Sequence, residues 1–208
     1  MLFSYFENPF QLILYIMVIV VSITVHEFAH ALTADRLGDP TPRLQGRISL
    51  DPRAHVDLFG LIFLFIAGFG WGKPVQFDPF NLQNPRRDAA IISVAGPISN
   101  FILAGIFAIL FRLVAVNASS VIFSELFFMM VNINIVLGVF NLIPIHPLDG
   151  FKIVGGILPS KQAYEWFDLQ RYGTIFLIAL IIPILPGGHS MSGMIVSPII
   201  NIIRGILL

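Results

Sequence analysis

The stretch His26-Glu27-Phe28-Ala29-His30 is an HExxH motif inside an apolar run that is long enough to cross a bilayer. Between Phe10 and Leu32, only these two histidines and Glu27 carry a charge or an imidazole. Residues four apart share one face of a helix, so both imidazoles project together with Glu27 beside them. That arrangement suits two zinc ligands and a general base. An ionisable group inside a membrane costs about 2.5–3.5 kcal/mol on insertion scales, and a bound metal would offset this cost.

The composition indicates a membrane protein. Of the 208 residues, 56% are hydrophobic and only 12% are charged, whereas about 25% of the residues in a soluble domain are charged. The mean hydropathy is +0.86. With a net charge of zero and no basic block, nothing indicates nucleic-acid binding. Because the chain has no cysteine, a metal site must use imidazole and carboxylate ligands.

Hydropathy predicts an all-α polytopic bundle of transmembrane helices in a single domain over residues 1–208. The core would cover about 9–158, and C-terminal helices about 172–207. A helix of about 20 residues crosses the hydrocarbon layer, which predicts five spans. The shorter apolar stretch from Leu58 to Trp71 suits a re-entrant or interfacial segment, and Gly72 to Phe77 suits a small β-hairpin. The predicted spans are about 9–34, 88–114, 121–143, 172–186 and 190–207.

The distribution of basic residues predicts the orientation of these spans. Arginine and lysine follow the first span, precede the second and follow the third. The positive-inside rule places such residues in the cytoplasm and therefore the N-terminus outside. Both halves of the proposed metal site would then lie toward the cytoplasmic side. The basic residues used are Arg36, Arg43, Arg47, Arg53, Arg86, Arg87, Lys152, Lys161 and Arg171.

A catalytic zinc site needs a third protein ligand and leaves its fourth position to water. Asp149 is the best candidate, because it follows the third span, where Pro144 and Pro147 break the helix. Irregular backbone there can hold a carboxylate at membrane depth beside a polar cavity. Other interpretations stay open at this stage. Asp149 could cap a helix, and the HExxH residues could form a buried polar patch or a proton relay.

Four stretches together resemble the site-2 protease family of intramembrane metalloproteases, in its small bacterial or archaeal form without PDZ or CBS modules. The Gly70–Val75 and Asn84–Asp88 runs add to the resemblance. The matches occur in the family's order over about residues 22–150. The four stretches are His26-Glu27-Phe28-Ala29-His30, Gly46 to Gly60 (GRISLDPRAHVDLFG), Val94 to Asn100 (VAGPISN) and Asn141 to Gly150 (NLIPIHPLDG).

The resemblance implies that His26, His30 and Asp149 bind one zinc ion and that Glu27 is the catalytic base. It also implies that Asn100 and Asn141 lie near the site and steady the oxyanion or the substrate backbone. The residues alone allow another role for both asparagines, since asparagine within spans often bonds helix to helix. One departure is His146, where the family commonly has proline, and it alters the polarity beside the Asp149 ligand.

The implied activity is hydrolysis of a peptide bond within or next to a transmembrane segment of a membrane-anchored protein, as in regulated intramembrane proteolysis. A helical substrate hides its carbonyls in hydrogen bonds, so it must unwind first. We hypothesise that it adds as a strand to the segment from Trp71 to Phe77. The alternatives are a metal or proton transporter and an inactive membrane scaffold. Inverted repeats typical of transporters are not evident, and the intact Glu27 argues against a scaffold.

Overall fold

The computed structural model describes residues 8–67, 70–117, 121–182 and 190–208. Within these ranges, eight helices longer than one turn are joined by irregular loops, 3-10 turns and a one-turn helix. In chain order the eight helices are α1 (Pro9–Arg36), α2 (Leu58–Ala67), α3 (Pro85–Asn117), α4 (Val121–Asn141), α5 (Asp149–Ile157), α6 (Ser160–Asp168), α7 (Gly173–Ile181) and α8 (Met191–Leu207).

Three of the five predicted spans are confirmed as helices long and apolar enough to cross a membrane, namely α1, α3 and α4. The described part of the fourth, α7, has nine residues, about 14 Å at 1.5 Å per residue, which is too short to cross by itself. Residues 183–186 of that predicted span lie outside the described residues. The fifth, α8, has 17 residues and is at the lower limit of length. The fold is an all-α polytopic membrane protein.

Helix α3 is the centre of the bundle, because α1, α4 and α5 all pack against it. Between α3, α4 and α8 lies a cluster of buried side chains that includes Ala104, Val131, Ile135 and Val196. The small Ala104 and Ala108 let the helices approach closely, as is typical of membrane bundles. On another face of α3, large apolar side chains point outward, as expected for contact with lipid. They are Ile98, Ile102, Ile106, Ile109 and Leu113.

The segment after α2 corrects one prediction. Residues 72–77 form no helix, and a β-bridge at Gly72 begins what we call the extended segment, but they form no hairpin, and the described residues contain no strand. A single antiparallel bridge joins Gly72 to Val56, and the Lys73 N–H donates to the His55 carbonyl at 2.7 Å. The next N–H on this edge, that of Val75, donates to the Glu27 side chain and not to a backbone carbonyl, so the ladder does not continue. The predicted apolar segment before it contains the ten-residue helix α2, too short for a full crossing.

Candidate metal centre

The two histidines of the HExxH motif lie on one face of α1, as the four-residue spacing predicts. Both residues are almost fully buried, with 7% exposure each. The Nε2 atoms of His26 and His30 are 3.0 Å apart, and the rings meet edge to face with centroids 4.6 Å apart. Both rings therefore present the same nitrogen to one point beside α3.

Asp149 reaches that point from the first turn of α5. Its Oδ2 atom is 3.2 Å from Nε2 of His26 and 3.2 Å from Nε2 of His30. The chain can turn so sharply between α4 and α5 because the residue that follows Asp149 is glycine. A Cβ on Gly150 would lie 2.5 Å from the Ile143 carbonyl oxygen, so a side chain there would clash. The three residues predicted to bind metal are brought together.

The chemistry and spacing of these three groups fit a zinc ion. Ligand atoms 2.0–2.1 Å from a tetrahedral zinc stand roughly 3.3–3.4 Å apart, close to the separations between the two imidazoles and the carboxylate. Oδ2 of Asp149 is buried and has no hydrogen-bond partner among the described residues, as expected for an atom that faces a cation. Within the described part of the chain, His26, His30 and Asp149 form a group that could hold a metal.

The other ring nitrogen of each imidazole, Nδ1, is hydrogen-bonded to α3. Nδ1 of His30 lies 2.7 Å from the Ile92 carbonyl oxygen, and Nδ1 of His26 lies 2.6 Å from Oδ1 of Asn100. Both partners are acceptors on α3, so each Nδ1 carries the hydrogen and donates it. Each Nε2 then keeps its lone pair toward Asp149, which is the form that binds a metal.

Glu27 lies beside this group and contacts the extended segment after α2. Its Oε2 atom accepts a hydrogen bond from the Val75 N–H at 3.0 Å, and the nearest guanidinium nitrogen of Arg47 is 3.9 Å away. The side chains of Glu27 and Asp149 are each 13% exposed. Glu27 is thus held at one oxygen by the backbone of a neighbouring segment.

Arg47 and His55 fix that segment in place. Arg47 is 3% exposed and donates to the Ala54 carbonyl at 2.5 Å and to the Lys73 carbonyl. His55 is fully buried and donates from Nε2 to the Ser49 carbonyl at 2.7 Å. Burial lowers the pKa of His55, and the neighbouring Arg47 charge adds to this, so the imidazole is neutral at pH 7. The Gly46–Gly60 stretch therefore supports the extended residues beside Glu27.

The two asparagines occupy different places. Asn100 is fully buried behind His26, and its amide nitrogen donates to Asn134 at 2.8 Å. Asn141 ends α4, and its amide nitrogen donates to the Leu137 carbonyl of the same helix at 3.1 Å. Contact of either residue with an oxyanion or a substrate backbone stays a prediction. For Asn100, the observed contacts are those of a residue that orients His26.

His146 packs against other side chains near the metal group. Its ring meets Phe151 edge to face with centroids 5.6 Å apart, and its Cβ lies against Gly173 at the start of α7. The residue is half-buried and joins the turn before Asp149 to the C-terminal helices.

Sequence reasoning missed three buried polar residues around the site, which are Ser22, Arg47 and Asn134. Ser22 lies on α1 one turn before His26, and Asn134 lies in the middle of α4. A rare polar side chain within an apolar span was the available signal for Asn134. Nothing in the sequence showed which other helix it would contact.

The helical bundle and this group of three candidate ligands define a membrane-embedded protein with a candidate zinc site. Residues 14–118 and 110–183 match the model of Peptidase family M50. The chain belongs to this family, whose members include the site-2 proteases.

Similar proteins carry matching names. YwhC of Bacillus subtilis, named provisionally as a zinc metalloprotease, is 36% identical over 85% of this chain and 84% of its own length. Rip2 of Mycobacterium tuberculosis, named in the same provisional way, is 33% identical over 80% of this chain and 66% of its own length. Zinc metalloprotease MJ0392 of Methanocaldococcus jannaschii is 26% identical over 76% of this chain and 38% of its own length. No solved structure matches the chain significantly.

Proposed function

We propose that this protease cleaves a membrane-anchored protein within or next to its transmembrane segment, using His26, His30 and Asp149 to hold one zinc ion and Glu27 as general base. The observation that carries the proposal is the meeting of two Nε2 atoms and one carboxylate oxygen, each pair 3.0–3.2 Å apart. We further propose that residues 1–208 act as one membrane-embedded domain, with the catalytic core over about residues 9–158.

The reaction adds water across the scissile peptide bond. Bound zinc polarises a carbonyl and activates water. Glu27 accepts a proton from the water as its oxygen bonds to the carbonyl carbon, and then returns that proton to the amine as the C–N bond breaks. Oε2 of Glu27 is held by the Val75 N–H. Among the described residues no hydrogen bond to Oε1 is formed, so Oε1 is free to take the proton.

The extended segment of residues 72–77 is the proposed template for the unwound substrate. In a strand, the backbone N–H and carbonyl groups of one residue point to one edge, and those of the next residue point to the opposite edge. Lys73 uses its N–H and carbonyl toward His55 and Arg47, so Gly72 and Gln76 direct theirs to the other edge. In the described part of the chain these groups have no backbone partner. A substrate strand could add to this edge, on the side of the segment opposite the Val75 N–H that holds Glu27.

An apolar cavity beside the template offers room for a membrane segment. It has a volume of about 660 Å³ and lies between α1, α2 and α4, and residues of α7 and α8 also line it. Ile23, one turn before Glu27, and Trp71, next to Gly72, both line it. The cavity therefore adjoins the general base and the template, as a groove for an apolar substrate would.

The proposed location is the plasma membrane of a bacterium or archaeon, with the site toward the cytoplasm. Arg36 ends α1, Arg86 lies in the first turn of α3, and Lys152 follows Asp149 in α5. These basic residues lie at the helix ends nearest the metal group, which supports a cytoplasmic placement by the positive-inside rule.

The test is cleavage of a membrane-spanning peptide by the purified protein in detergent, with and without a chelator. The wild type should bind one zinc per chain and cleave, and the chelator should abolish cleavage. Glu27→Gln should keep the zinc and lose at least about 100-fold in kcat, since a general base contributes about 10²–10⁴. His26→Ala should lose both the zinc and cleavage.

Two outcomes would overturn the proposal. Cleavage by Glu27→Gln at the wild-type rate would remove Glu27 from the chemistry. Zinc or proton flux across reconstituted vesicles without any hydrolysis would indicate a transporter.

A further inference from the structure

Asn100 orients His26, and behind it lies a chain of polar side chains whose role is not yet explained. It runs from Asn100 on α3 to Asn134 on α4 and then to Ser22 on α1, and each of the three is fully buried. Such groups are costly within an apolar bundle unless each one is hydrogen-bonded. Here they bond to one another and end at the metal-binding imidazole.

The direction of each hydrogen bond follows from the far end of the chain. The Ser22 hydroxyl donates its single hydrogen to the Val18 carbonyl at 2.7 Å, so Ser22 can only accept from Asn134. The amide nitrogen of Asn134 accordingly donates to Ser22 Oγ at 2.9 Å, and also to the Met130 carbonyl at 2.8 Å. Both of its hydrogens are used, so Oδ1 of Asn134 must face Asn100.

The same logic continues to His26. Oδ1 of Asn134 accepts from the amide nitrogen of Asn100 at 2.8 Å. The second hydrogen on that nitrogen points to the Ser22 backbone carbonyl at 3.4 Å. Oδ1 of Asn100 is therefore turned toward Nδ1 of His26, 2.6 Å away. An acceptor at that position requires the hydrogen of His26 to be on Nδ1.

We propose that Asn134 is a positioning residue for the metal site, because it orients the Asn100 amide and thereby sets the tautomer of His26. The inference rests on the zinc site of the proposed function. A side-chain amide can rotate by half a turn and exchange its donor for its acceptor. If Asn100 did so, it would favour a hydrogen on Nε2 of His26, and that nitrogen could not bind the metal.

His30 shows why only His26 needs such a chain. Its Nδ1 donates to the Ile92 backbone carbonyl, which is an acceptor in every orientation. The tautomer of His30 is therefore set directly by α3. The tautomer of His26 depends on a side chain that must itself be oriented, and Asn134 and Ser22 orient it.

The experiment measures zinc affinity by chelator competition on the purified full-length protein, apart from any cleavage. Asn134→Leu removes the group that orients Asn100 and should weaken zinc binding by about 10–100-fold, the usual effect of removing an outer-shell partner. The matched control is Asn132→Leu on the same helix. The Asn132 amide donates to the Phe128 carbonyl of α4 itself, so its loss should leave zinc affinity unchanged.

A double variant separates orientation from damage to the fold. In Asn100→Asp/Asn134→Leu, the ionised carboxylate at residue 100 carries two acceptor oxygens and presents no donor to His26, whichever way it turns. Most of the lost zinc affinity should return. Affinity that was lost through disturbed packing would stay lost, since the changed packing at position 134 is still present.

Wild-type zinc affinity in Asn134→Leu would overturn the proposal, as would a failure of the double variant to recover. A wild type that binds no zinc at all would instead overturn the proposed function.

Discussion

Gly96 determines how closely α3 approaches the two imidazoles. A Cβ at this position would lie 2.6 Å from Nε2 of His26 and closer still to Nε2 of His30. It would occupy the space in front of these two nitrogens. Glycine is therefore required here by close approach, and the adjoining Pro97 is fully buried in the same contact region.

We expect Gly96→Ala to weaken zinc binding by at least about tenfold, because the methyl group must displace the imidazoles or move α3 away from them. Chelator competition measures the affinity. Gly105→Ala on the same helix is the control, since a Cβ there meets nothing within 4 Å, and alanine favours the helix by up to about 1 kcal/mol. Unchanged zinc affinity in Gly96→Ala would contradict the close approach.

The element that decides the position of Glu27 is the extended segment of residues 72–77. Arg47 joins it to the turn at Ala54, and both hydrogen bonds come from a buried guanidinium. Hydrogen bonds to charged groups contribute about 1.5–3 kcal/mol each. Losing them frees the segment to shift, and with it the Val75 N–H that holds Glu27.

Arg47→Met should keep one zinc per chain and lower kcat by roughly 10–100-fold, because a shift of about 1 Å at a reacting group can cost 100-fold. Steady-state kinetics and zinc content measure the two effects. Arg53→Met is the matched control, since the Arg53 side chain is 91% exposed and pairs with Asp51 at the surface. Equal kcat values in Arg47→Met and Arg53→Met would exclude the positioning role.

Strand addition of the substrate at the free edge of this segment can be tested at Gln76, which is exposed. Gln76→Pro removes the N–H offered to a substrate strand and leaves the Val75 N–H on Glu27. One lost hydrogen bond of about 0.5–1.5 kcal/mol should lower kcat/KM by about two- to tenfold. Gln76→Ala keeps the N–H and serves as the control. If both variants cleave equally well, the substrate does not add as a strand at this edge.

At the scale of the whole molecule, Asp39 joins the loop after α1 to the segment before α3. It is fully buried and accepts hydrogen bonds from Thr41, from the Asp78 N–H and from Asn81. Burial acts to raise the pKa of Asp39, but these hydrogen bonds outweigh it and hold the pKa below its usual value. The ionised form therefore stabilises the fold.

The stability from Asp39 should be fully present above its unfolded-state pKa of about 3.9 and be lost as the pH falls through the lower folded-state pKa. Asp39→Asn should lower the free energy of unfolding at pH 7 by at least about 1.5 kcal/mol. That difference should shrink below about pH 4. Unfolding in mixed micelles between pH 3 and 7 measures it, with the surface variant Asp51→Asn as control. A difference that does not vary with pH would contradict the role of the charge.

The sequence alone predicted the face of α1 that carries His26 and His30, and it predicted Asp149 as the residue that would meet them. These depend on local physics, namely helical periodicity, the rarity of ionisable groups in apolar spans and the helix break at Pro144 and Pro147. The predicted hairpin was wrong because an extended pattern does not show whether a partner strand exists.

The tertiary structure decided which buried groups meet. Three features depend on contacts between elements distant in sequence. Asn134 orients Asn100, Arg47 holds the segment beside Glu27, and Gly96 faces the imidazoles. Such contacts follow from the packing of α1, α3 and α4. A residue's own neighbours in the chain do not specify which face of another helix it will touch, so only the folded bundle could assign these roles.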